Sequence, residues 1–267
     1  MIKGCIITVL IFIFGCGQQQ PNYETLVAST LDSLKTDTIS QMSVSAIQIR
    51  ETDTVIASGH KLMFQATDSI AMTDIFGDAA LRTQMTDTID NWHQRAIFIE
   101  KYLGEKFKIY FSANDSTLIL FLANNKQLQL PKWDNEQDAG YNFEHYFASI
   151  DYYLLHVQYG EGNGWMLVNR KNGFKKNIIG EPYISPDGKR ILTVNSDLIA
   201  GYSENGIELF SISGDTLKTE FQLDVDSWGA TGAKWLSDKK VIIEKEYFNS
   251  ETGDINNKKK YSVLTID

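Results

Sequence analysis

The side chains of this 267-residue chain that are able to do chemistry are few, and their spacing decides what they can do. His60, His93, His145 and His156 are its four histidines, and none opens a His-Glu-x-x-His metal helix. His145 and His156 flank one expected strand turn. With no Cys and no clear carboxylate at ligand spacing they do not make a zinc site. Asp224-Val225-Asp226-Ser227-Trp228-Gly229 starts as a calcium loop does, but Trp228 takes the fifth position and Trp235 the twelfth, where oxygen ligands are required. Gly201-Tyr202-Ser203-Glu204-Asn205 approaches the Gly-x-Ser-x-Gly elbow and ends in Asn. It also lies between two strands, whereas the elbow needs a strand followed by a helix to expose its Ser. The expectation is therefore a protein with no metal, no cofactor and no catalytic residue that the sequence singles out. Acidic residues are numerous, so a pair facing across a cleft, as glycoside hydrolysis uses, stays open as an alternative.

Binding chemistry has better candidates. Pro131 to Tyr141 and Asp224 to Trp235 each set a Trp among polar turn residues, and loop aromatics are common anchors for protein or sugar partners. Trp133 and Trp228 are the residues expected to bind, while Trp235 is expected to pack in the core. A formal charge of −9 argues against nucleic acid, which is held chiefly through neutralised phosphates.

The elements that must position these residues begin after an address. Lys3 is followed by the apolar run Cys5 to Phe14 and then Gly15-Cys16, too short to span a bilayer, which takes about 20 residues. A basic end, a short apolar core and a small exit residue read as a signal peptide over residues 1–15. Ile13-Phe14-Gly15-Cys16 resembles the lipobox of bacterial lipoproteins. That resemblance implies that Cys16 is acylated and becomes the N-terminus, a membrane anchor when it carries two or more chains. Cys5 would leave with the signal, so the mature chain would carry no free thiol. Residues 16–41 read as the lipidated Cys, a polar tether and one short helix over 23–35. No Asp follows Cys16 and no acidic cluster follows it, so the expected location is the outer membrane, with the body facing the periplasm.

Residues 42–267 read as all-β, with short Ile-, Leu-, Tyr-, Phe- and Val-rich runs between Gly, Asn, Asp and Ser clusters. Ile184-Ser185-Pro186-Asp187-Gly188-Lys189-Arg190 is the most specific turn, since Pro fixes φ, Asp caps and Gly accepts positive φ. It resembles the strand-joining turn of TolB-like β-propeller blades. Weaker copies start at Phe64, Phe111, Phe147 and Trp235, so successive anchors lie 47, 36, 37 and 51 residues apart. Four-stranded blades repeat every 40 to 50 residues or so. The second halves agree, as Asn163 to Asn169 and Asn205 to Ser211 each precede a Gly-containing turn and a further strand. A propeller of about five four-stranded blades is expected, with an antiparallel sandwich or meander as the alternative.

The TolB-like resemblance implies protein–protein contact in the cell envelope, on fold analogy alone. The expected function is a lipid-anchored envelope module that binds a protein or a glycan. The rivals are an envelope glycan hydrolase or lyase and an inhibitor of a secreted enzyme.

Overall fold

The computed structural model describes residues 53–70, 72, 89, 91–249, 251–256 and 258–267. The signal peptide, Cys16, the tether and the helix expected over 23–35 lie outside the described residues. Within them the chain is all-β apart from one helix, and the strands form antiparallel sheets.

Two strands come first, β1 (Asp53–Ala57) and β2 (His60–Thr67), joined by the tight turn Ser58-Gly59. Helix α1 (Trp92–Gly104) follows. Sheet A is β3 (Phe111–Ala113), β4 (Thr117–Phe121) and β5 (Gln127–Pro131). Sheet B is β6 (Ala139–Phe147), β7 (Tyr152–Tyr159), β8 (Asn163–Asn169) and β9 (Lys175–Ile178). Sheet C is β10 (Glu181–Ile184), β11 (Arg190–Asn195), β12 (Gly206–Ser213) and β13 (Thr216–Asp224). β14 (Gly229–Ser237) and β15 (Lys240–Glu246) precede a small hairpin of β16 (Phe248–Asn249) and β17 (Asp254–Ile255), and β18 (Lys260–Ile266) comes after it. Sheet D runs β14-β15-β18-β2-β1, so β18 lies between strands from opposite ends of the described sequence.

The sheets pack by their faces in chain order. Strands covered on both faces need apolar side chains in both phases of the pleat, and β7 reads Tyr-Tyr-Leu-Leu-His-Val, all buried. One of its faces joins α1 and sheet A around Phe143, Tyr153 and Leu155. The other joins sheet C through Leu154, Trp165, Ile191 and Phe210. A third core lies between sheets C and D around Leu209, Phe221, Trp228 and Leu264. Trp235 packs there as expected, its indole Nε1 donating to Tyr183 O at 2.9 Å.

The Ser-Pro-Asp-Gly turn forms as its residues dictate. Gly188 has φ +68°, Ser185 Oγ donates to Asp187 Oδ1 at 2.7 Å, and Asp187 accepts from Lys189 N–H at 3.0 Å. The copy 37 residues earlier places Asp151 at the position of Gly188, and Asp151 has φ +61°. Asp151 is held there by Tyr146 Oη at 2.6 Å and Arg170 Nε at 2.5 Å.

Three expectations are corrected. The segment 92–104 is helical, capped by Asn91, whose side chain accepts from Gln94 N–H at 3.1 Å, with Ala96, Ile99 and Leu103 buried along one stripe. The copy at Phe64 heads no hairpin; it lies inside β2, in the same sheet as the copy at Trp235. Five anchors thus fall on four sheets. Finally, Asp224 to Trp235 is no open loop, because Gly229 onward is β14 and Val225 and Trp228 are buried.

Candidate functional site

A cavity of about 690 Å³ opens where α1 meets sheets A and B. Its lining includes His93, Ile97 and Glu100 of α1, the β3–β4 turn at Asn114 to Ser116, Lys132 and Trp133 after β5, and Asn142 of β6. That size is in the range of small-molecule sites, about 300 to 1,000 Å³.

Trp133 owes its place to a short closed loop. Asp134 and Ala139 exchange both backbone hydrogen bonds, at 2.7 and 3.2 Å, and Asp134 Oδ1 accepts from Glu136 N–H at 2.9 Å. A Cβ on Gly140 would sit 2.2 Å from Lys132 O and 3.1 Å from the Trp133 ring, so only glycine lets the indole lie against β6 at this point. The ring is 41% exposed at the cavity.

Glu100 holds the helix to the sheet. β6 shifts register between Phe143 and His145, and Phe143 N–H donates to Glu100 Oε2 at 2.8 Å. The same carboxylate pairs with Lys132 Nζ. Burial lowers the Lys132 ammonium below its ordinary pKa, and Glu100 opposes that by charge and hydrogen bonding.

Asn142 is only 3% exposed, and among the described residues no hydrogen-bond partner meets its side-chain amide. Buried polar groups are nearly always satisfied, so an amide left open on a cavity wall marks a position for an incoming hydrogen-bonding group.

A second, smaller groove of about 330 Å³ lies between sheets B and C, lined in part by Tyr159, Trp165, Lys176, Tyr202, Glu204 and Glu208. Burial pushes the Glu208 carboxyl up to about 7, against the pull of Lys176 Nζ at 4.0 Å and of the Ile179 backbone N–H, with Glu204 pushing it further up. Tyr202 sits on a loop fixed by Asp197, which accepts from the N–H groups of Ala200, Gly201 and Ser203. Ser203, the would-be elbow nucleophile, is part of this turn, and the element after it is the strand β12 rather than a helix.

The structure separates the two tryptophans expected to bind. Trp133 borders the larger cavity. Trp228 is 0% exposed, set edge-on to Phe64 with ring centroids 5.9 Å apart and covered by Lys245 Nζ at 4.0 Å, which removes the exposure that a binding role needs. His156 is buried and His145 partly so, and desolvation lowers each to about 4. Their rings pack on Phe107 and Phe147 and on Trp165 respectively. Among the described residues no group of three His, Cys, Asp or Glu is placed to hold a metal ion. His93, Glu100, Lys132 and Asn142 were not singled out by the sequence. Asn91 and the Ala96, Ile99, Leu103 spacing were the available signals for the helix carrying two of them.

No family model matches the sequence, and no curated protein is similar to it. Among solved structures, TolB from Acinetobacter baumannii is similar over 58% of this chain at 11% identity and a TM-score of 0.24. The match spans 39% of the length of that chain.

Proposed function

We propose that the chain is a lipid-anchored cell-envelope binding module, tethered through Cys16 to the outer membrane with its body in the periplasm, and that it takes its ligand at the Trp133 cavity. The observation that carries the binding role is the exposed, pre-positioned indole of Trp133 beside the open amide of Asn142. Rigid aromatics on closed loops bind with little loss of conformational freedom. The same reading takes sheets A to D as consecutive propeller-like blades. Their face-to-face packing in chain order supports this, as does the completion of the C-terminal sheet by β2 and β1.

The test has two arms. Cys16→Ala abolishes labelling by a fatty-acid analogue in cells and releases the protein from membranes; a mature protein that retains residues 1–15 overturns the anchor. In-cell crosslinking followed by mass spectrometry recovers an envelope partner or glycan, and Trp133→Ala weakens that capture while the melting temperature holds. Unchanged capture removes the cavity from function.

A second reading, an envelope glycan hydrolase, is favoured by the raised Glu208 carboxyl close to Glu204 in the aromatic-walled groove. It requires turnover of an envelope glycan that Glu208→Gln abolishes.

A further inference from the structure

The lining of the Trp133 cavity also narrows the kind of molecule that would fill it, provided that the cavity has the binding role proposed above. We infer that its ligand is an uncharged saccharide, stacked on the indole of Trp133 and hydrogen-bonded by the side-chain amide of Asn142.

Charge narrows the chemistry first. Lys132 is the cationic side chain among the described Lys and Arg of the lining, and its ammonium is committed to Glu100. A phosphate or carboxylate would find no uncommitted ammonium or guanidinium among these residues, and such groups are recognised by charge-assisted bonds. Glu100 is equally committed, to Lys132 and to Phe143 N–H, which leaves Asp115, exposed on the β3–β4 turn, as the carboxylate of the described lining open to a donor, a role that a sugar hydroxyl fills without a charge.

Apolar surface narrows it next. Ile97, 46% exposed, and the face of Trp133 are the large apolar contributions among the described lining residues. That is one flat aromatic platform and one aliphatic flank. A lipid chain needs continuous apolar walls, since each buried methylene contributes only about 0.8 kcal/mol. A pyranose ring presents a face of C–H groups that suits a single indole, and it surrounds that face with hydroxyls.

Hydrogen bonding completes the match. The Asn142 amide offers two donors and an acceptor. No described residue uses them. The Trp133 indole N–H is likewise without a partner among the described residues. A side chain that both donates and accepts fits neighbouring hydroxyls or an acetamido group, which do the same. A peptide backbone also pairs with an amide, but it would leave the indole platform without a flat C–H face to cover it.

The experiment uses the full chain in detergent and isothermal titration calorimetry. The probes are chitotetraose, cellotetraose, maltotetraose and mannotetraose, with sialyllactose as a charged sugar and tetra-alanine as a peptide. At least one neutral tetrasaccharide is expected to bind. Trp133→Ala and Asn142→Ala should each weaken it at least tenfold, while Trp133→Phe, which keeps a ring, should weaken it less than Trp133→Ala. Thermal melting of each variant checks that it is folded, and Trp133→Ala decides alone if Asn142→Ala is not. Failure of all four neutral sugars, binding of only the charged sugar or the peptide, or affinity unmoved by Trp133→Ala overturns the saccharide. Crosslinked capture that still depends on Trp133 after such a failure leaves the binding module standing without the sugar. Capture that is also indifferent to Trp133 removes both.

Discussion

Trp228 and Trp133 sit in similar sequence, each in a polar segment with Gly nearby, yet they build opposite environments. Around Trp228 the structure is closed. Lys245, 0% exposed, places its ammonium over the indole at 4.0 Å and over Phe64 at 4.7 Å, and Asn205 Nδ2 donates to Trp228 O at 2.9 Å. Around Trp133 the adjacent Lys132 pairs with Glu100, and the ring faces a cavity. The difference follows from what each loop must cover. The Trp228 segment leads into the first strand of sheet D, which lies against sheet C so closely that a Cβ on Gly229 would sit 1.9 Å from Ser196 Oγ. The Trp133 segment instead crosses a gap held open by a helix. A Trp in a polar loop is an anchor only where the neighbouring elements leave room for a guest.

The largest effect expected from breaking this contrast is at the closed end. Trp228→Ala should cost about 3 to 5 kcal/mol in denaturant unfolding, as large-to-small changes in a packed core do. A cost under about 1 kcal/mol would mean that this region is not closed.

Next, Glu100→Ala would strip the open region of its support, leaving the Lys132 ammonium and Phe143 N–H without their acceptor. The expected loss is about 3 kcal/mol. Hydrogen exchange should show α1 and β6 opening while β14 and β15 stay protected. Uniform loss of protection would erase the distinction between the two regions.

The groove at Glu208 gives a pH-dependent version of the same question. Its carboxyl keeps a proton up to about 7 when folded, whereas the unfolded chain releases it near 4.5. From 4.5 to 7 the unfolded state gains charge that the folded state cannot, so this contribution falls as pH rises and is gone above 7, by on the order of 3 kcal/mol. His145 and His156 act in the opposite direction. Held neutral down to about 4, they favour the fold above 6.5, and their contribution is lost as pH drops from 6.5 to 4. Subtracting the stability of Glu208→Gln from that of the parent isolates the first trend. A difference that does not fall across pH 4.5 to 7 refutes it.

Gly188→Val tests a turn outside both regions. A Cβ at Gly188 would meet nothing closer than Ile150 Cγ2 at 3.9 Å, so the cost is that of a β-branched residue at positive φ, about 1 to 3 kcal/mol. Asp115, at the aligned position of another copy, is exposed and is not among the residues with positive φ, because Asn114 Oδ1 closes that turn by accepting from Ser116 and Thr117 N–H. Asp115→Ala should change thermal stability by less than about 0.5 kcal/mol. Equal losses at the two positions would contradict the difference in backbone.

The smallest effect on stability belongs to the open end. Trp133→Ala should shift unfolding by less than about 1 kcal/mol, against the several expected at Trp228. Comparable losses at the two tryptophans would place Trp133 in the core.

How much of this was legible in the sequence depended on how local each signal was. The turn at Ser185 to Gly188 was readable because its hydrogen bonds lie within six residues. The strands of sheet B were readable for the same reason, each being joined to the next by a short turn, as were those of sheet C on either side of the longer 196–205 loop. Helix α1 was hidden because Ile97 and Tyr102, both half-exposed, add apolar side chains off the buried stripe and blur its period. The copy at Phe64 misled because resemblance along the chain says nothing of which strands pair, and β2 pairs with β18, nearly 200 residues on. Asn142 carried no signal at all. One Asn in an aromatic strand becomes a candidate contact only after α1 and the β5–β6 loop have been folded over it.

The position of β18 reaches beyond structure into the timing of folding. β18 pairs with β15 on one side and β2 on the other, and Asp267 clasps the other end of that sheet, its Oδ1 accepting from Lys61 N–H at 2.7 Å. Sheets A, B and C each pair within a stretch of consecutive strands and are able to form while synthesis continues. Sheet D is not, since its middle strand is made after every other described strand and β1 and β2 before them. Bringing segments this far apart together carries a loop-closure cost that local hairpins avoid, which makes it the slow step. Until then β2 presents an unpaired edge, the kind of surface on which chains aggregate. Removing only residues 260–267 would therefore leave the early sheets intact while stranding β1 and β2, so β18 acts as a latch that the ribosome releases after the other described strands.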